Sequence, residues 1–154
     1  MSLIEKVYVE TSIAGAYFEE RTDIVSVAQN FWTRQWWDHL RHQYEVVVSQ
    51  AVTNELRHPD YPYSNDALEL IENIPKVSIE DEVKQIVKIY IQERLMPKDP
   101  VGDALHLALA SYHKCDYLLT WNCKHIANPN NNDKFDCAIK QWVCMCRVWL
   151  RPIN

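Results

Sequence analysis

Short β-branched runs alternate with longer stretches of helical rhythm along most of this chain. Val7, Tyr8 and Val9 form a first apolar run, and "YEVVVS" at 44–49, "KVSI" at 76–79 and "DYLLTW" at 116–121 repeat the pattern. Their length and β-branching predict strands. Between them the apolar residues recur at helical spacing. A short helix is predicted from Ser12 through Phe18, and a longer one over 23–42 with an apolar stripe of Ile24, Val27, Phe31, Trp32 and Leu40. "QAVTNELRH" reads as a helix capped by Ser49 and closed by Pro59, and Ser64 or Asn65 is placed to cap another reaching Glu72. Val83, Ile86, Val87, Tyr90 and Ile91 mark an amphipathic helix over 80–94. Asp103 is expected to begin "DALHLALASYHK", whose near-continuous apolarity predicts a buried central helix.

Strands alternating with helices predict an α/β fold, a three-layer α/β/α arrangement around a central parallel sheet. No linker or internal repeat divides the chain, so a single domain over 1–154 is expected. The tail "CAIKQWVCMCRVWLRPIN" is the least regular part, read as a helix and a last strand.

Composition narrows the chemistry. With only 2 glycines, glycine-rich phosphate loops and dinucleotide fingerprints are excluded. A net charge of −5 excludes a global basic field for nucleic acid, so phosphate binding would need metal ions or a local basic patch. Arg21, Arg34, Arg57 and Lys98 are the candidates for such a patch. The 5 cysteines all fall in the last third, and their odd number suits reduced thiols better than a disulfide framework. Cys123, His125 and Cys137 match no standard zinc spacing. Apolar runs are too short to span a bilayer, so a cytoplasmic protein without membrane contact is expected.

Parallel α/β sheets place functional groups at the carboxyl ends of strands and the starts of the helices that follow. Glu10 ends the first strand, Glu55 lies in the helix after the second, and Asp103 stands at the start of the buried helix. Each has an ordinary explanation when taken singly: a turn, a solvated helix face, a favourable helix dipole. Together, at equivalent junctions, they point to one acidic cluster. His106, one turn beyond Asp103, is within reach of the site, but a histidine on a buried helix is more often a structural hydrogen-bonder. No nucleophile elbow or cysteine–base pair is present.

"VYVETS", "SQAVTNEL", "DALHLALA" and "YLLTWN" occur in the order and spacing that resemble PIN domains, including the VapC toxins of toxin–antitoxin pairs. The resemblance spans roughly residues 6–127 and is most specific over "DALHLALASYHKCDYLLTWNCKHIAN". It implies a Mg²⁺- or Mn²⁺-dependent ribonuclease acting on single-stranded RNA, with an antitoxin partner; a homodimer is expected from the sheet edge that the divergent tail would leave unpaired. Carried over by position, the acids are Glu10, Glu55 and Asp103, and the fourth acidic position falls on Asn122. Glu10 stands where aspartate is usual, and the neutral Asn122 offers only a carbonyl oxygen. Asp99 is a possible substitute metal ligand. Thr11, Ser12 and Thr120 would support the ligands by hydrogen bonds, and Lys124 and His125 would touch substrate phosphate.

Hard divalent cations take oxygen ligands, and a bound ion turns an acidic cluster that repels phosphate into one that attracts it. Two other readings stay open. One is a degenerate PIN domain that binds RNA or a protein without cutting; the other is a phosphatase or DNA nuclease using the same acids.

Overall fold

The structure is a computed structural model that describes residues 4–92, 101–122, 135–140 and 143–148. Six strands form one sheet in the order β3-β2-β1-β4-β6-β5. β1 (Lys6–Val9), β2 (Glu45–Ser49), β3 (Lys76–Val77) and β4 (Tyr117–Leu119) are mutually parallel. β5 (Phe135–Lys140) and β6 (Val143–Val148) pair antiparallel, and β6 also runs antiparallel to β4. The fold is thus α/β, with a parallel four-strand centre and an antiparallel hairpin added at one edge. The expected helix of the tail is replaced by this hairpin. Its β-branched and sulfur-bearing run, "VCMCRV", suits a strand better than a helix.

β1 sits between β2 and β4, with Val7 aligned to Val46 and to Tyr117. A strand flanked on both sides and covered on both faces has to be apolar throughout, and Val7, Tyr8 and Val9 are fully buried. Each such valine contributes about 1.5–3 kcal/mol relative to an exposed one.

The helices are α1 (Thr11–Tyr17), α2 (Ile24–Gln35), α3 (Gln50–Leu56), α4 (Ser64–Ile71), α5 (Asp81–Gln92) and α6 (Val101–Tyr112). α1 packs on α2 and α4, whereas α5 packs on α6. Right-handed crossovers running first toward β3 and then back toward β4 put these two groups on opposite faces of the sheet. On α6, Ala104, Leu107, Ala108, Leu109 and Ala110 are fully buried, as its apolar run predicts. Asp103 is the third residue of that helix and not its first.

Four local expectations change. The stretch over 23–42 ends its α-helix at Gln35 and continues as a π-helical turn, Trp36–Leu40, and a 3₁₀ turn, Arg41–Gln43. Ile24, Val27, Phe31 and Leu40 of the predicted stripe are exposed among the described residues, while Ser26, Thr33, Trp36 and Trp37 are buried. Ser49 occupies the N-cap position of α3 without a capping hydrogen bond, because its hydroxyl turns to Tyr8. α4 is preceded by Tyr63 in the left-handed region (φ 57°), so neither Ser64 nor Asn65 caps it.

Candidate functional site

Between β1 and β4 the chain order of the sheet reverses direction: β2 and β3 lie to one side of β1, β4 to the other. At such a point the connecting segments diverge and leave a crevice at the carboxyl ends of the strands. Glu10 stands there. Its N–H donates to the Leu119 carbonyl at 3.1 Å, so it belongs to the last rung joining the two strands.

The Glu10 side chain is buried and held on one oxygen. Oε2 accepts from the Ser12 backbone N–H at 3.0 Å, from the Ser12 hydroxyl, and from the Thr120 hydroxyl at 2.9 Å. The two hydroxyls in turn accept backbone N–H groups from the turn after β4. Ser12 Oγ takes Trp121 N at 2.9 Å, and Thr120 Oγ1 takes Asn122 N at 2.9 Å. Each hydroxyl therefore passes the pull of a main-chain donor to one carboxylate oxygen. This fixes the carboxylate more firmly than any one bond could.

Glu55, on α3, meets His106, on α6, with Oε1 and Nε2 2.6 Å apart. The other nitrogen of His106, Nδ1, is 2.6 Å from the Tyr8 hydroxyl, which is 2.7 Å from Ser49 Oγ. Ser49, Tyr8, His106 and Glu55 thus form a chain of hydrogen bonds running from the buried sheet to the crevice.

Burial pushes the His106 pKa down, but the hydrogen bond to Glu55 and the charges of Glu10, Glu55 and Asp103 outweigh it and raise the pKa above its ordinary value. Glu55 behaves reciprocally. Burial opposes ionisation, yet the His106 hydrogen bond and charge, helped by Thr11, hold its carboxyl below the usual range. As an imidazolium, His106 donates to both neighbours, and Tyr8 donates to Ser49. Burial, reinforced by the charges of Glu10 and Glu55, raises the Tyr8 phenol and keeps it protonated.

Donor atoms of Glu10, Glu55 and His106 all lie within 4.8 Å of one another. Among the described residues they are the one group of three acidic, histidine or cysteine side chains able to share an ion. Asp103 lies in the first turn of α6, three residues before His106, and its charge reaches that imidazole. It is outside the converging three. Asn122 is exposed and enters the network through its backbone N–H. Ser12 and Thr120 touch Glu10 directly, whereas the buried Thr11 hydroxyl faces Glu55 without a hydrogen bond of ordinary geometry. Asp99, Lys124 and His125 lie outside the described residues, as do Lys98 and Cys123.

An open groove of about 550 Å³ adjoins the acids through Ser12, and Tyr61, Tyr63, Trp121 and Arg21 line it. Trp121 is anchored by its indole N–H on Thr33 Oγ1 at 2.8 Å. Tyr61 crosses α1 at Gly15, where an added Cβ would fall on the phenol hydroxyl and lie 3.2 Å from Cζ. Arg21 is exposed but paired with Glu19 at 2.9 Å, so the groove has little free positive charge from it. Arg34 lies over the Tyr17 ring, and Arg57 lines a separate hollow with Thr53 and Lys76.

The sequence points to Glu10, Glu55 and Asp103, of which the first two converge; from sequence alone Tyr8 reads as core, Ser49 as a cap and His106 as a structural hydrogen-bonder. Alternation along β1 carried a usable signal: residues 8 and 10 project to the same side of a strand. A tyrosine two positions before a strand-end acid is therefore its neighbour. The chain matches no family model and no curated protein.

Proposed function

We propose that this chain is a metal-dependent endoribonuclease of the PIN type, hydrolysing phosphodiester bonds of single-stranded RNA. The observation that carries the reading is the convergence of Glu10, Glu55 and His106 at the crevice between β1 and β4. The donor set fits a divalent cation such as Mg²⁺ or Mn²⁺: two carboxylates bring the compensating charge, and their oxygens converge with a histidine nitrogen. A bound ion there would neutralise phosphate charge and lower the pKa of an attacking water.

The protein's own part is to hold its ligands still. Ser12 and Thr120 fix one oxygen of Glu10, and in the metal-free protein His106 holds Glu55. Asp103 adds negative charge beside them, and Asn122 presents a neutral side chain at the rim. Tyr61, Tyr63 and Trp121 give the adjoining groove rings against which unpaired bases can stack. A toxin role, with an antitoxin partner, rests on the resemblance to VapC proteins alone. Self-association draws support from Ile24, Val25, Val27 and Phe31, which α2 exposes together.

Asn122 favours the second reading, RNA binding without cleavage, since a neutral side chain stands where the resemblance implies an acid. A substrate panel separates these readings. With Mn²⁺, the proposal expects cutting of single-stranded RNA, none of single-stranded DNA or a phosphomonoester, and none in a chelator. Binding of RNA without cutting favours the degenerate domain, and turnover of the other substrates favours a phosphatase or DNA nuclease.

A further inference from the structure

We propose that His106 is itself a ligand of the metal site through Nε2, so that this chain prefers Mn²⁺ and later first-row ions to Mg²⁺. The inference rests on the reading of the acidic cluster as a metal site, and it changes what kind of site that is. An ion with ligand distances of about 2.0–2.4 Å requires its donor atoms to lie within about 4–5 Å of one another. A nitrogen of His106 meets that requirement with both Glu10 and Glu55, and Nε2 is the one beside Glu55, hydrogen-bonded to Oε1 at 2.6 Å in the metal-free protein. Asp103, the acid that the resemblance would put in this place, does not join that group.

The second nitrogen supports the same assignment. Ligating histidines almost always have their other ring nitrogen held by a neighbour, which fixes tautomer and ring plane. Here Nδ1 is held by Tyr8 at 2.6 Å, and Tyr8 by Ser49 at 2.7 Å, all within the buried sheet. Nδ1 is thereby committed to the interior. Nε2 is the nitrogen left to face the carboxylates, on a ring only 1% exposed and unable to swing into solvent.

Charge balance agrees. His106 would release its Nε2 proton to solvent on binding, and two carboxylates with the neutral imidazole then compensate a divalent ion in full. Mg²⁺ prefers oxygen and keeps its waters, whereas imidazole suits transition ions, with affinity rising from Mn²⁺ to Co²⁺. A nitrogen in the ligand set therefore tilts selection away from Mg²⁺.

Metal-free full-length protein is titrated with Mg²⁺, Mn²⁺ and Co²⁺ by calorimetry, and the Co²⁺ form is examined by proton NMR. The expected order is Co²⁺ over Mn²⁺ over Mg²⁺, with at least a tenfold gap between the ends. A cobalt-bound imidazole shows its remaining N–H as a strongly shifted, exchangeable resonance. One such signal is expected, slow to exchange because Nδ1–H is buried against Tyr8. His106→Gln should remove it and weaken Co²⁺ binding at least tenfold, with Mg²⁺ binding changed about twofold. Tyr8→Phe should keep the signal but speed its exchange.

Absence of the signal from the unaltered protein, equal affinity for Mg²⁺ and Co²⁺, or a signal that survives His106→Gln overturns the proposal. If circular dichroism shows His106→Gln unfolded, the signal and the metal order of the unaltered protein decide. RNA cutting with Mn²⁺ but no imidazole signal would sink this inference and spare the ribonuclease reading. A signal without cutting would do the reverse.

Discussion

Glu55 and His106 are 51 positions apart in the chain, yet their Oε1 and Nε2 atoms approach to 2.6 Å at the crevice between the two halves of the sheet. One comes from α3 and the other from α6, helices on different crossovers. Their contact ties these crossovers together where β1 and β4 end. It also couples the two groups electrically, each favouring the charged form of the other.

The coupling predicts a pH window for the metal-free protein. Glu55, lowered in the folded state, contributes stability above its ordinary 4.5 and loses it as pH falls through the folded value. His106, raised in the folded state, contributes below its ordinary 6.5 and loses that contribution as pH rises through its folded value. Both contributions are complete between about pH 4.5 and 6.5. Urea unfolding in chelator should show the largest gap between the unaltered protein and His106→Gln in that window, narrowing on either side. A gap independent of pH would contradict the pairing.

The Glu10 network predicts a distinct effect of Thr120→Val. The change keeps the shape but removes the donor to Glu10 and the acceptor of the Asn122 N–H. Loss of such a ligand support typically costs 10–100-fold in metal affinity, roughly what calorimetry with Mn²⁺ should read. Secondary structure by circular dichroism should be unchanged.

Gly15 is required by Tyr61 and not by the backbone of α1. Alanine there gains about 1 kcal/mol of helix propensity, but its Cβ collides with the Tyr61 hydroxyl and crowds Cζ, an overpacking worth about 1–3 kcal/mol. Gly15→Ala should therefore destabilise the protein more in its natural background than beside Tyr61→Ala, where the ring is gone. Thermal unfolding of the two singles and the double gives the coupling directly. Additive effects would show that the ring does not crowd Gly15.

The fold was largely legible in the chain because both of its periodicities are strong. Val7 to Val9 and Val46 to Val48 carry the continuous apolarity of strands covered on both faces, and α6 the apolarity of a central helix. Glu10 and Glu55 were legible as site candidates because the junctions of a parallel sheet are predictable positions. What escaped was what depends on pairing across the sheet. Ser49 has the chemistry of a cap and stands at the cap position, but Tyr8 on the next strand competes for its hydroxyl and wins. His106 looked structural because its partner, Glu55, lies on another crossover. The stripe of Ile24, Val27 and Phe31 has the spacing of a buried face, yet the burial on that helix falls on Ser26 and Thr33. Periodicity locates a face without saying which way it turns.

Leu107 tests the support beneath the site. It is fully buried on α6, one residue beyond His106. Leu107→Ala should cost about 2–5 kcal/mol in chemical unfolding, as expected for a leucine in a close-packed interior. A cost below 1 kcal/mol would mean that α6 is not the packed centre of this layer.

The central claim is that Glu10 and Glu55 act as one metal-dependent catalytic cluster. It is tested most directly by the single-turnover rate at which a fluorescent single-stranded RNA is cut in Mn²⁺. The unaltered protein should cut it, and Glu55→Gln, which keeps the side-chain shape and removes the charge, should lower the rate by about 100-fold or more. A rate that is the same in chelator as in Mn²⁺, or that Glu55→Gln leaves unchanged, would contradict it.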